Sequence, residues 1–158
     1  MKLSYLTLAF AITASISGLA QADNRYKTTA YLKTDFQTQE WNGGKVTVGS
    51  LKGVIETHGS KVQGIPNGES VQNCLIRVVR MGESTDVVAN CSFVDKDGDI
   101  RYGLSERKQG DMSVGGSGKT RFLGGTGKYK GVTGSCEYTS KYLPENWLVV
   151  ESTCIKDE

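Results

Sequence analysis

Few side chains in this 158-residue chain are suited to chemistry, and their spacing decides which chemistry is open to them. The cysteines, Cys74, Cys91, Cys136 and Cys154, are even in number, none stands in a CxxC pair, and the only histidine is His58. A zinc site draws its four ligands from such close pairs, so this set points to two disulfides and to no metal. His58 shares a strand face with Val54 and Glu56 and has no nucleophile placed beside it, so no triad is legible. The run Asp95-Lys96-Asp97-Gly98-Asp99, with Glu106 twelfth from Asp95, imitates a calcium loop. Such a loop needs its glycine at position six, where Ile100 stands, so a solvated hairpin turn is the better reading.

The glycine-rich stretch 110–134 offers two further motifs. Ser113-Val114-Gly115-Gly116-Ser117-Gly118-Lys119-Thr120 is one residue short of a phosphate-binding P-loop, with Ser113 where the first glycine belongs. A P-loop cradles phosphate where its amides open onto a helix, whereas here a second turn, Gly124-Gly125, follows closely after Thr120. Gly-Gly-x-Gly recurs at 115–118 and 124–127, as in calcium-binding β-rolls, but Thr120 and Tyr129 stand where those rolls need aspartate. No nucleotide, metal or other cofactor follows from these motifs.

The elements that must position these residues are strands. Glycine with threonine, valine, serine and tyrosine disfavours helices and suits short strands joined by tight turns. Alternation marks strands at 26–36, 45–58 with a glycine break near Gly49, 75–80, 86–90, 100–106 and 119–123, before a last hairpin, eight or nine in all. Asn42-Gly43-Gly44, Pro66-Asn67-Gly68 and Asp97-Gly98 punctuate them. A two-residue turn at Gly82-Glu83, glycine first as type II′ prefers, makes opposed residue numbers total 165, as Cys74 and Cys91 do. A three-residue connection at Pro144-Glu145-Asn146 makes them total 290, as Cys136 and Cys154 do. The expected bridges are therefore 74 with 91 and 136 with 154.

Alternation then fixes faces. The cysteine face of the first hairpin carries Ile76, Val78, Val87, Ala89 and Phe93, and that of the second carries Tyr138, Tyr142, Leu148 and Val150. An all-β chain of this length closes its edges, so the expected fold is an eight-stranded antiparallel β-barrel, lipocalin-like in size, with two disulfides. Eight strands leave a lumen just wide enough for side chains or one small ligand. Candidate ligand-binding residues are Ile76, Val78, Val87, Phe93, Tyr138, Tyr142, Leu148 and Val150, and a fully packed core is the alternative. Tyrosines are the only ionisable groups on this face, which favours binding over catalysis. The outward Leu75, Val79, Val88, Trp147 and Val149 suit burial against another subunit, and Trp41 is an exposed aromatic beside a turn.

Residues 1–22 read as a signal peptide: Lys2, an apolar run over 6–19 broken by small and polar residues, and Ala20-Gln21-Ala22 before the cut. The run falls short of a membrane span, and the remainder, 23–158, is of single-domain size. Lys2 is the leader's only charge, so the remainder carries 18 basic residues against 17 acidic ones, without clusters. That balance argues against nucleic-acid and anionic-membrane partners. The expected location is periplasmic or secreted, where disulfides persist.

Phe122-Leu123-Gly124-Gly125-Thr126-Gly127-Lys128-Tyr129-Lys130-Gly131-Val132-Thr133-Gly134 resembles the signature of the allene oxide cyclase and dirigent type of β-barrel. In that superfamily a strand, a glycine turn, an aromatic two residues later and a Gly-x-x-Gly lead into the next strand. Secreted bacterial members are similar also in an Asp-Gly-Asp turn upstream, here Asp97-Gly98-Asp99. The resemblance covers roughly residues 91–142 and implies a barrel with Tyr129 over one opening, often a trimer, with isomerase or cyclase activity as one possibility. It places no catalytic residue on this chain. Three functions stay open: binding of a small hydrophobic ligand, a cyclase acting by shape, and a protein-interaction module of the envelope.

Overall fold

The computed structural model describes residues 24–107 and 115–158. The expected leader, and Ser113-Val114 of the P-loop-like motif, lie outside them. The strands are β1 (Arg25–Trp41), β2 (Gly44–His58), β3 (Gly68–Met81), β4 (Ser84–Asp95), β5 (Ile100–Arg107), β6 (Gly115–Gly125), β7 (Thr133–Leu143) and β8 (Trp147–Lys156), with one 3-10 turn at Gly127–Tyr129. Each strand pairs antiparallel with the next, and β8 closes on β1 to complete the barrel. Closure satisfies every strand edge without covering elements. Among the described residues no helix is long and apolar enough to cross a membrane.

The expected registers hold. Cys74 faces Cys91 and Cys136 faces Cys154, and both pairs are bridged. Gly82 takes φ 58° at the first position of its turn, and Asn42 and Gly43 take φ 48° and 75°, the consecutive left-handed pair of a type I′ hairpin. Two expectations are corrected. β2 runs unbroken through Gly49, which lies opposite Phe36; a Cβ there would run into the Asp35 carbonyl, so the glycine lets β1 approach and does not end the strand. β6 begins at Gly115 and not at Lys119, because the P-loop-like glycines are themselves strand.

The end of the barrel at which β1 begins is sealed. Residues 59–67 fold across it, burying Val62 and Ile65. Ser60 Oγ donates to the Ile65 carbonyl (2.6 Å), and the Ser60 amide donates to Asn67 Oδ1 (2.6 Å) while Asn67 Nδ2 donates back to the Ser60 carbonyl (3.0 Å). Tyr129 closes the same end beside them. The opposite end carries the turns of the β1–β2, β3–β4 and β7–β8 hairpins.

Candidate functional site

The lumen is mostly filled but keeps a cavity of about 80 Å³. Of the eight candidate residues, Ile76, Val87, Phe93, Tyr138, Tyr142, Leu148 and Val150 line it. Val78 is buried in the same core but lies off the cavity wall, nearer the Gly82-Glu83 turn. Cys74, Cys91 and Cys136 also line it, so both disulfides are part of the wall. Lining residues near the β7–β8 hairpin, Tyr138, Tyr142 and Val150, are half-buried, whereas Phe93 and Phe122 at the sealed end are almost wholly buried. These three lie on β7 and β8; Leu148, Val87 and Arg107 toward the same end are almost wholly buried.

β1, β2, β5 and β6 supply the rest of the wall, and β5 supplies its chemistry. Among the described lining residues Arg107 is the only charged one, and it is 6% exposed. Its Nη1 donates to Ser140 Oγ at 3.5 Å, and Ser140 Oγ donates to the Gly116 carbonyl at 3.0 Å. β6 makes the room: a Cβ on Gly116 would stand 2.6 Å from Arg107 Nη1, and one on Gly118 would stand 2.5 Å from Tyr138 Cζ and Oη. The glycine run that imitates a phosphate loop is thus the space in which an arginine and a tyrosine lie.

Burial pushes the Tyr138 and Tyr142 hydroxyls above the usual phenol range, against the pull of the nearby Arg107 charge. Both stay neutral donors at physiological pH. Ser105 and Thr120 hydroxyls bond each other at 2.7 Å. Gln72 Nε2 donates to Cys74 Sγ at 3.2 Å, while its Oε1 is buried with no hydrogen-bond partner. The wall is therefore apolar, with one guanidinium and several neutral polar groups, the composition of a small-molecule site.

Beneath the cavity a second arginine is structural. Arg101 is 4% exposed, and its guanidinium carbon lies 4.0 Å from the Phe122 ring centre, 5.3 Å from Phe93, 5.6 Å from Tyr129 and 5.9 Å from Tyr26. Its Nη1 donates to Tyr26 Oη at 3.1 Å. Four ring faces offset the loss of water around this charge. The Asp-Gly-Asp turn sits outside this floor. Lys128 Nζ lies 2.8 Å from Asp95 Oδ2 and 2.6 Å from Asp97 Oδ2, and the Lys128 amide donates to Asp99 Oδ2 at 3.2 Å. An ammonium group therefore occupies the place a metal would take in a calcium loop. His58 is exposed, 3.5 Å from Glu56, as a surface residue. Among the described residues no group of three or more metal-ligating side chains forms a site.

Comparison with known protein families, with characterised proteins and with solved structures finds no match for this chain.

Proposed function

We propose that this barrel binds a small, largely apolar molecule in its lumen, in the periplasm or outside the cell. The observation that carries the reading is the cavity itself: a space inside the barrel, closed on one side by residues 59–67 and walled by apolar side chains with a few polar groups. Two disulfides in the wall fit an oxidising compartment. Native mass spectrometry of the protein purified from its own host tests this reading, with a retained small molecule as the expected result. A folded protein that carries nothing and binds no hydrophobic probe would overturn it.

One observation favours a second reading, an isomerase or cyclase of the allene oxide cyclase type. Arg107 places a permanent positive charge in the lumen, where it would stabilise negative charge developing on an oxygen. Turnover of an enolisable or epoxide substrate that is lost on replacing Arg107 would favour this over binding alone. Outward Leu75, 72% exposed, with Tyr102 and Leu123 beside the same surface groove, fits the association into trimers that the sequence resemblance implies.

A further inference from the structure

We propose that a second copy of this chain docks on the outer face of β1, β2 and β3, forming a two-fold dimer whose axis runs across the strands along Tyr31, Val54 and Val71. This goes beyond ligand binding in the lumen and does not depend on it.

The register sets three outward rows across these strands. Tyr31 pairs with Val54 and Val54 with Val71, so three apolar side chains, 53%, 42% and 51% exposed, stand side by side with no polar residue between them. Contiguous apolar surface rimmed by polar residues marks an interaction site. One row toward the sealed end lie Thr29, Glu56 and Glu69, and one row toward the opposite end lie Lys33, Lys52 and Asn73. The patch is separate from the groove of Tyr102 and Leu123, which lies on β5 and β6.

In the isolated barrel both flanks of the apolar row set like charges together. Lys33 stands directly opposite Lys52, and Glu56 directly opposite Glu69, and like charges at opposed positions of neighbouring strands repel. Lys33 reaches the Glu145 carbonyl and the Trp147 ring, and Glu56 lies 3.5 Å from His58. Lys52 and Glu69 have no ion-pair partner among the described residues. A partner that relieves both flanks must carry positive charge beyond one side of an apolar row and negative charge beyond the other, and a second copy does. Half a turn about the row lays Glu56 of each copy over Lys52 of the other and sets each apolar residue against its own counterpart, the self-complementary contact of a two-fold dimer. Half a turn about the strand direction would lay Glu56 on Glu56 and Lys52 on Lys52, so charge selects the first axis. Three short rows make a small interface, so association is expected at about 10–100 μM.

The test is sedimentation velocity of the oxidised protein from about 5 to 500 μM, with monomer passing to dimer as the expected result. Lys52→Glu and Glu56→Lys should each raise the dissociation constant at least about tenfold, and an equimolar mixture of the two variants should regain the dimer, because each then offers the other opposite charge. In dilute solution neither variant should melt below the parent, since each places unlike charges at an opposed strand position; a lower midpoint in both would remove the repulsion on which the proposal rests. A parent that stays monomeric or forms only trimers would overturn it, as would an assembly that both variants leave intact or a mixture that stays monomeric. If either variant does not fold, Val54→Ser, which keeps the charges and removes the centre of the apolar row, should weaken the dimer at least about tenfold, and unchanged association would overturn the proposal.

Discussion

Tyr138 and Tyr142 stand four residues apart on the inward face of β7 and reach the cavity at different depths, opposite Ser152 and Leu148. Replacing either with Phe keeps the ring and removes the hydroxyl, so each change should weaken binding of a lumen probe by about 1 kcal/mol with little loss of stability. Gly118→Ala acts on the same tyrosine from behind, because the added carbon meets the Tyr138 ring at its hydroxyl end. That ring end can swing, but the same carbon would stand 2.5 Å from the Glu106 carbonyl oxygen, so the variant should lose stability as well as bind the probe several-fold more weakly; an unchanged thermal midpoint together with unchanged titration curves would show that the close approach at Gly118 is irrelevant. These tyrosines are legible in the sequence because a disulfide pins their hairpin and alternation does the rest. Arg107 is not. On β5 the apolar Ile100, Tyr102 and Leu104 look like the core face, yet Arg101, Gly103 and Arg107 are the buried residues. Gly103 turns inward because Phe93 and Phe122 already fill the lumen at its level, a Cβ there standing 3.0 Å from the Phe93 ring. Side-chain volume on neighbouring strands sets this face, and no pattern within β5 reports it.

The β4–β5 turn and the 3-10 turn after β6 form one clasp. Each resembles a calcium motif when read alone, and each lacks what calcium needs because its partner is the other. Asp95, whose side chain is 5% exposed, is pushed up by burial, but Lys128, the Asp97 and Asp99 amides and the Tyr129 hydroxyl together hold its carboxyl below the usual range. Hydrogen bonds from Lys128 and Lys96 hold Asp97 at about 2. A carboxyl depressed in the folded state stabilises fully above its unfolded value near 4, and that contribution is lost as pH falls toward 2. Thermal midpoints should therefore drop between pH 4 and 2, and Lys128→Met should flatten that dependence. A variant as acid-sensitive as the parent would show that the clasp contributes nothing. Millimolar calcium should leave the midpoint unchanged, since binding would first have to expel Lys128; a rise of several degrees would show that the carboxylates prefer the metal. The motif residues could be read from sequence, but their mutual docking spans some thirty residues and depends on the register of β5 with β6, which shifts between Arg101 and Gly103.

Across the whole molecule, the strand count, the closure and both bridges follow from alternation, turn geometry and the need to leave no edge. The seal over residues 59–67 does not, because a loop that buries Val62 and Ile65 through Ser60 and Asn67 carries no periodic signal. The two disulfides staple hairpins on opposite sides of the ring, β3–β4 and β7–β8, and neither crosses the β1–β8 seam that closes the barrel. Each closes a loop whose two cysteines are 17 or 18 residues apart, and restricting such a loop in the unfolded chain contributes about 3 kcal/mol. The bridges lie four strands apart in the ring and staple separate hairpins, so their contributions should add. Replacing Cys74 and Cys91 together with alanine, or Cys136 and Cys154 together, should each lower the unfolding free energy in denaturant by about 3 kcal/mol, and the combined variant should lose roughly the total of the two. Non-reducing peptide mapping of the parent should recover only the two hairpin pairs. A combined loss much larger than that total would mean that the bridges hold the β1–β8 seam jointly, and the barrel would then depend on oxidation to close at all.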